Sequence, residues 1–441
     1  MLKRNPEYGD FIQTVFADEI GREKTKYKIK TITFQVTDRC NLRCSYCYQI
    51  NKATHSMDFK TAKIFIDYLF EHRLDENYEL SEHYAKGLII EFIGGEPLLE
   101  TKLIKQIMDY FEDKFIEYPD CIWGLYHKYN FATNGVNYFD PIFQELLNEY
   151  GELISCGVTI DGYKELHDSC RKFPNGDGSY DIAIKAALDL SSRTLDTGTK
   201  ITVSPDNVKY VFEGLKNMIN LGFSEVNINC VYEEGWRPEH AKILYEQLKL
   251  TADWLYKNNL QNNVYIAFFD PDKYISASEE EKNWCGCADC MYAIDYKGDI
   301  FPCIRFMESS LGKDAEPLNI GTVEKGFCTT EQEKNHKELL NKVADGDTCR
   351  NFEDKCKNCP IGSGCSWCTA YNYQYYGDMT KRTTFICDMH KAAALASKYF
   401  YLLTNNKKDY DIIKITKDLA LDIITPDEWE KIQWGGKIKN V

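Results

Sequence analysis

Thr31-Ile32-Thr33-Phe34-Gln35-Val36-Thr37-Asp38-Arg39-Cys40-Asn41-Leu42-Arg43-Cys44-Ser45-Tyr46-Cys47 joins two signals in one stretch. Its first half is β-branched and aromatic, as a strand requires, and its second half is a short polar loop with three cysteines. Three thiolates are one fewer than the irons of a [4Fe-4S] cluster. One iron would stay open to a small molecule, so the loop reads as a reaction centre. A cluster that only passes electrons is expected to hold four cysteines. The competing reading is a zinc loop, for which His55 is the obvious local fourth ligand.

Composition narrows the partners. At 441 residues the chain exceeds one ordinary core, so two or more packed units are expected. A net charge of −15 argues against a nucleic-acid partner, whose phosphates favour basic surfaces. The opening Met1-Leu2-Lys3-Arg4-Asn5-Pro6-Glu7 lacks the apolar stretch of a signal peptide, and no run of about 18 apolar residues follows. A soluble, cytoplasmic enzyme with no membrane partner is therefore expected. In that reducing compartment 18 cysteines point to metal ligation rather than disulfides. Cys121, Cys156, Cys170 and Cys230 are scattered and read as small buried hydrophobes.

From about residue 30 to 270, short strand-like runs alternate with helical periodicity, the pattern of βα repeats on a parallel sheet. Strands are expected at Thr31–Val36, Leu88–Ile93, Tyr129–Ala132, Ile154–Ile160, Lys200–Val203, Glu225–Asn229 and Val264–Phe268. Leu103, Ile104, Ile107, Met108 and Phe111 form a helical stripe, as do Ile64, Phe65, Tyr68 and Leu69 from Thr61 to about His72. Periodicity leaves a closed barrel and an open doubly wound sheet equally available. Residues 271–395 are dense in cysteine, glycine and turn residues and read as a second unit. Residues 396–441 are charged and helix-prone, and 1–29 form an N-terminal extension. Thr425-Pro426-Asp427-Glu428 reads as a capping box opening a helix that carries Trp429 and Trp434.

The spacing of the three cysteines, with an aromatic Tyr46 before the last, resembles the radical S-adenosylmethionine (SAM) enzymes. The resemblance implies an α/β fold with a partial (β/α)6 TIM-like barrel, the cluster loop following the first strand. It implies that Cys40, Cys44 and Cys47 hold a [4Fe-4S] cluster and that SAM chelates the open iron. An electron would then break the sulfonium bond and yield a 5'-deoxyadenosyl radical that abstracts a substrate hydrogen. Gly94-Gly95-Glu96-Pro97, directly after the second strand, looks like the family's motif for the cofactor's amino group. Two glycines allow close approach of backbone to ligand, and the carboxylate can accept from a cation. Tyr46 and Asn134 join the cofactor-binding set. By the same resemblance Thr159 and Ser204 are candidate contacts for cofactor hydroxyls and Arg171 for its carboxylate; each also suits ordinary turn chemistry.

Cys356-x2-Cys359-x5-Cys365-x2-Cys368, with Cys387 downstream and Gly298-x4-Cys303 upstream, resembles the SPASM domain, which binds two auxiliary [4Fe-4S] clusters. It departs from the usual pattern in separating the last pair by two residues instead of three. The resemblance implies an outer cluster on Cys356, Cys359, Cys365 and Cys387. The inner one would take Cys303, Cys368 and upstream ligands from Cys285, Cys287 and Cys290, with Cys285 fitting best. Cys328 and Cys349 are spares. Taken alone, the segment also reads as a zinc ribbon.

The implied activity is modification of a peptide or protein. Three outcomes compete: a thioether link in a ribosomally made cysteine-containing peptide, as in sactipeptide and ranthipeptide maturases; a carbon–carbon crosslink; and formylglycine formation in a sulfatase. Against the third, known sulfatase maturases place an acidic residue just after the inner-cluster cysteine, where Ile304 and Arg305 follow Cys303. A flavodoxin or ferredoxin reductant is implied. With 39 residues ahead of Cys40, leader recognition is expected to be shortened, supplied by a separate protein, or shared by the tail with Trp429 and Trp434. From other classes, an iron–sulfur electron carrier and a zinc-organised interaction protein remain, and neither would cleave SAM.

Overall fold

A ten-residue strand, β1 (Lys28–Thr37), carries the chain up to the cysteine loop. Its even-numbered side chains Ile32, Phe34 and Val36 are fully buried. Phe34 packs against Phe92 of β2 (Ala85–Gly94), Phe65 of α1 (Phe59–Glu71) and Phe111 of α2 (Thr101–Glu117), at centroid distances of 5.9 to 6.2 Å. In α2 the stripe Leu103, Ile104, Ile107, Met108 and Phe111 is wholly buried against this side of the sheet.

The computed structural model describes residues 28–193, 196–233, 235–276, 286–287, 290–312, 315–344, 356, 358–365 and 367–435. Cys285 and Cys349 lie outside them. The elements that follow are β3 (His127–Thr133), α3 (Pro141–Glu149), β4 (Ile154–Thr159), α4 (Lys164–Cys170), α5 (Tyr180–Ser192), β5 (Asp196–Val203), α6 (Val211–Asn220), β6 (Glu225–Cys230), α7 (Pro238–Lys257) and β7 (Tyr265–Ile266). All seven strands are parallel and adjacent in chain order, with helices between β1 and β7 making six βα units among the described residues. The sheet does not close on itself there, because the second neighbour of β1 is β8 (Met291–Ile294) and not β7. The parallel βα order is the one the alternating pattern implies, and the open edge decides what periodicity left undecided.

The two faces of the sheet differ. Towards the helices it presents Ile90, Phe92, Tyr129, Phe131, Val158, Val203, Ile228 and Cys230, all buried. The other face carries Thr33, Glu91 and Asn130 in one register row and Thr159, Lys200 and Asn227 in another. Glu91 accepts from Thr33 Oγ1 at 2.7 Å and from Asn130 Nδ2 at 2.8 Å. A parallel sheet covered by apolar layers on both faces reads as near-continuous hydrophobic runs. Here the polar alternate positions mark a face kept for something other than packing.

The cysteine-rich region joins the same sheet. β8 pairs parallel with β1, and β9 (Asp299–Phe301), β10 (Gly321–Thr322) and β11 (Gly326–Phe327) follow antiparallel. After α8 (Glu331–Ala344) and α9 (Thr369–Tyr376), α10 (Cys387–Leu403) lies along α7, with Tyr399 Oη donating to Asp253 at 2.5 Å. The expected strand Val264–Phe268 shortens to β7 because the chain turns at Ala267–Phe269. There Phe269 stacks on Phe400 at 4.7 Å, and its carbonyl accepts from Tyr401 Oη at 2.8 Å.

The tail adds α11 (Lys407–Ile412), α12 (Lys417–Ala420) and α13 (Pro426–Lys431). Thr425 caps α13 by accepting from Glu428 N, but the reciprocal half of the expected capping box is diverted. Glu428 instead takes Lys249 Nζ at 2.6 Å and Tyr245 Oη at 3.2 Å, because an ion pair on α7 outbids a neutral N–H. Trp429 is buried in α13, whereas Trp434 lies beyond the end of that helix, half-buried beside Tyr410. No helix of the described residues is long and apolar enough to cross a membrane.

Because Phe34 anchors the strand that presents the cysteine loop, Phe34→Ala should destabilise the protein by about 3–5 kcal/mol, read as a lowered denaturant midpoint.

Candidate active site

The cysteine loop is braced at its root. Thr37 Oγ1 donates to the His55 carbonyl at 2.7 Å, and Asp38 takes His55 N at 2.7 Å and faces His55 Nδ1 at 2.9 Å. The His55 ring also stacks on Tyr296 at 4.3 Å, so it braces the root of the loop. Further along, Arg43 N donates to Lys172 O at 2.7 Å and Ser45 N to Cys170 O at 2.9 Å, tying the loop to the end of α4. Cys40, Cys44 and Cys47 are half-buried and within electrostatic reach of one another. Burial raises the Cys40 thiol and pushes that of Cys44 up to about 11, Arg171 opposing the latter shift. Raised thiols such as those of Cys40 and Cys44 become anionic by binding a cation.

The Gly94-Gly95-Glu96 turn at the end of β2 is hydrogen-bonded to this loop. Gly95 N donates to Thr37 O at 2.9 Å and Glu96 N to Arg39 O at 2.8 Å. A Cβ on Gly95 would collide with the Arg39 carbonyl and stand 2.8 Å from that of Asp38, so only glycine permits the approach. Glu96 is 1% exposed and accepts from Thr133 Oγ1 at 2.6 Å, Asn134 N at 2.8 Å and Leu98 N at 3.1 Å. Burial raises its carboxyl while those donors oppose the shift. Asn134 reaches back through Nδ2 to Asn41 Oδ1 at 2.7 Å, a second link to the cysteine loop.

Tyr46 connects the loop to the far side of the sheet. Its hydroxyl donates to Asp161, and Arg171 Nη1 donates to Tyr46 Oη at 3.0 Å. Asp161 also accepts from Thr202 N at 3.0 Å, and its own N–H donates to His167 Nδ1 at 3.2 Å. His167 is held neutral, its pKa pushed down to about 3 by burial and then by Arg171. Arg171 Nε is buried without a hydrogen-bond partner, so one edge of the guanidinium is left unsatisfied. Such an edge suits a carboxylate. Thr159 lies half-buried on the polar face beside Lys200. Ser204 is buried in a turn in which its N–H donates to Asn207 Oδ1 at 2.7 Å and its carbonyl accepts from Asn207 N and Val208 N. Its backbone thus does turn work.

Asp161 and Lys200 were not singled out from sequence, although the signal was present. Asp161 lies two residues past Thr159, the last residue of β4, and Lys200 precedes the alternating apolar pair Ile201 and Val203.

Among the auxiliary cysteines, Cys356, Cys359 and Cys387 all lie within electrostatic range of Cys365. Burial pushes Cys365 up to about 12 and Cys387 up to about 11. These are the four residues expected to share the outer cluster. Cys368 lies within range of Arg305, whose guanidinium stands 4.9 Å from the Tyr48 ring centroid and pairs with Glu233. Tyr48, next to Cys47, in turn feels Cys303. Cys287 is buried, and Cys290 sits near Tyr292 with its carbonyl accepting from Thr31 N at 2.6 Å. Among the described residues no three His, Cys, Asp or Glu side chains converge closely enough to hold a single metal ion.

A family model described as the radical SAM superfamily matches residues 34–211, which run from within β1 through β5 and take in the cysteine loop, the Gly94-Gly95-Glu96 turn and the Tyr46, Asp161 and Arg171 network. An uncharacterized protein of Methanocaldococcus jannaschii is 31% identical over 283 residues, 62% of this chain and 85% of that one. The chain belongs to the radical SAM superfamily. It is an enzyme, and SAM with a [4Fe-4S] cluster are the groups its site serves. A cysteine-type anaerobic sulfatase-maturating enzyme of Clostridium novyi is 24% identical over 338 residues, covering 73% of this chain and 83% of that one. The subtilosin biosynthesis protein AlbA of Bacillus subtilis is 25% identical over 286 residues, 64% of this chain and 56% of its own. In fold, the chain resembles anSMEcpe with bound AdoMet and Cp18Cys peptide, at TM-score 0.62 and 18% identity, over 85% of this chain and 98% of that one. It also resembles Streptococcus suis SuiB bound to precursor peptide SuiA, at TM-score 0.51 and 15% identity, over 86% and 80%.

The residues of this radical SAM site suit those groups: a trio of thiols, a glycine cradle, a buried carboxylate with donors on both oxygens, and an orphaned arginine edge. Glu96→Gln keeps the shape but turns an amide nitrogen towards donors, and should weaken SAM binding by roughly ten- to a hundredfold in equilibrium dialysis. Gly95→Ala should push the turn off Arg39 and reduce both SAM binding and the iron retained after reconstitution.

Proposed function

We propose that the chain is a radical SAM peptide maturase that installs a thioether crosslink in a ribosomally made, cysteine-containing peptide. In this reading residues 30–270 form the radical SAM core and 271–395 a SPASM unit, flanked by an extension at 1–29 and a tail at 396–441. The observation that carries it is the meeting of the two cysteine sets. Tyr48, adjacent to Cys47, touches Arg305 on the Cys303 and Cys368 side, so an auxiliary centre would stand beside the reaction loop. That arrangement supports net oxidation of a substrate.

When bound, the cofactor and clusters supply a radical that removes a substrate hydrogen atom and a place for the electron left behind. The protein's own residues supply placement. Cys40, Cys44 and Cys47 would hold the radical cluster, and Glu96 would orient the cofactor's amino group. The free edge of Arg171 would take its carboxylate, with Tyr46 and Asp161 fixing that arginine. Cys356, Cys359, Cys365 and Cys387 would hold the outer auxiliary cluster. Cys303, Cys368 and a ligand from Cys285, Cys287 and Cys290 would serve the inner one. A thioether removes one hydrogen from carbon and one from sulfur, so the product is lighter by two hydrogens per link. A flavodoxin or ferredoxin would deliver the electron.

The subtilosin biosynthesis relative supports the peptide reading. The sulfatase-maturating relative keeps formylglycine formation as the second reading, because the match spans more of that protein. Arg305 weighs against it: the position after the Cys303-Ile304 pair is cationic and committed to Glu233.

Coexpression with a cysteine-containing precursor peptide should give a product lighter by two hydrogens per link and resistant to thiol alkylation. An unchanged precursor mass alongside active SAM cleavage would overturn the thioether assignment, and conversion of a sulfatase cysteine to formylglycine would establish the second reading.

A further inference from the structure

Arg305 is a cation set where the two groups of cysteines meet. It belongs to a single helical turn, Ile304–Phe306, that begins directly after Cys303. Phe306 of that turn packs against Tyr373 of α9 at 6.1 Å, and α9 begins directly after Cys368, whose sulfur accepts from Tyr371 N at 3.4 Å. The packing of these two elements brings the segments that open at Cys303 and Cys368 together, and Cys368 lies within electrostatic range of the guanidinium.

The head of the side chain reaches back to the radical loop. It stands 4.9 Å from the centre of the Tyr48 ring, next to Cys47, and 5.5 Å from that of Tyr232, two residues past β6. Nη2 pairs with Glu233. The Arg305 side chain is 17% exposed and that of Glu233 34%, so water screens the carboxylate more than the cation. A guanidinium keeps its charge when it stacks on aromatic faces, so two rings and one ion pair fix a permanent positive charge at this junction. Any well-packed side chain could clamp the cysteine-rich side to the core. A fixed charge does more, because the charge and hydrogen bonding around an iron–sulfur cluster set its reduction potential, and a neighbouring cation favours the reduced, more negative form.

We propose that Arg305 is a positioning residue that raises the reduction potential of the inner auxiliary cluster and so makes it the acceptor of the electron that the substrate gives up. This rests on the reading that Cys303 and Cys368 serve that cluster. The step balances: once a hydrogen atom has been removed, the carbon radical loses one electron and the substrate thiol one proton as the carbon–sulfur bond forms. The electron reduces the cluster by one unit and the proton passes to water.

A redox titration of the anaerobically reconstituted enzyme, followed by electron paramagnetic resonance, tests this. The inner-cluster signal is the one that Cys368→Ala removes or alters. Arg305→Gln should move the midpoint of that signal to lower potential, and Arg305→Lys should stay nearer the wild-type value. Glu233→Gln, which strips the cation of its counter-charge, should move the midpoint higher. A merely loosened structure would admit water in both neutral variants and shift both the same way. Shifts in one direction therefore reduce Arg305 to a clamp and overturn the proposal, as does a midpoint that neither variant moves; both results leave the cluster assignment standing. If Cys368→Ala changes no signal and loses no iron, the cluster assignment itself falls and this inference falls with it.

Discussion

Two backbone hydrogen bonds, Gly95 N to Thr37 O and Glu96 N to Arg39 O, hold the ends of β1 and β2 together beyond the last rung of the sheet. Everything in the site depends on this contact, because it fixes the cysteine loop relative to the carboxylate of Glu96. The contact requires the absence of a side chain at Gly95, and it leaves Glu96 buried with donors on both oxygens. A buried carboxylate this well oriented has little freedom to lose when a cationic group arrives, which is the physical content of preorganisation.

The second constraint runs across the sheet. Tyr46 reaches from the cysteine loop to Asp161 beyond β4 and to Arg171 beyond α4, so the loop is gripped at both margins of the core. His167 and Ser179 finish this network behind Asp161, with a neutral imidazole linking a backbone N–H to a hydroxyl. On the polar face between the two grips, Glu91 is satisfied by Thr33 and Asn130. A radical SAM enzyme needs no side-chain base to begin its chemistry, and this architecture is one of placement and of water exclusion.

The cysteine-rich region is not appended to this core at a distance. β8 extends the sheet from the free edge of β1, and α10 starts at Cys387 and packs along α7, so Cys387 is set by a helix docked on the core. Arg305 crosses to Glu233 after β6 and stacks over Tyr48 after the radical loop, which brings the cysteine-rich side against the site.

The strands, the helical stripes and the Cys40 and Gly94 motifs were legible in the sequence because each depends on local period or on residue chemistry over a few positions. Their edges moved by up to four residues where tertiary contacts took over, as at Phe269, which turns to meet Phe400 and shortens β7. The partner of Glu428, the bracing role of His55 and the network around Asp161 were not legible. Each is a pairing between residues far apart in the chain, and no local pattern encodes which distant group arrives first. By itself, then, the sequence determined the order of βα units and the residue types that can ligate iron and receive SAM. Only the folded chain decided which of those groups are already satisfied and which are left facing a substrate, because satisfaction is a property of neighbours in space.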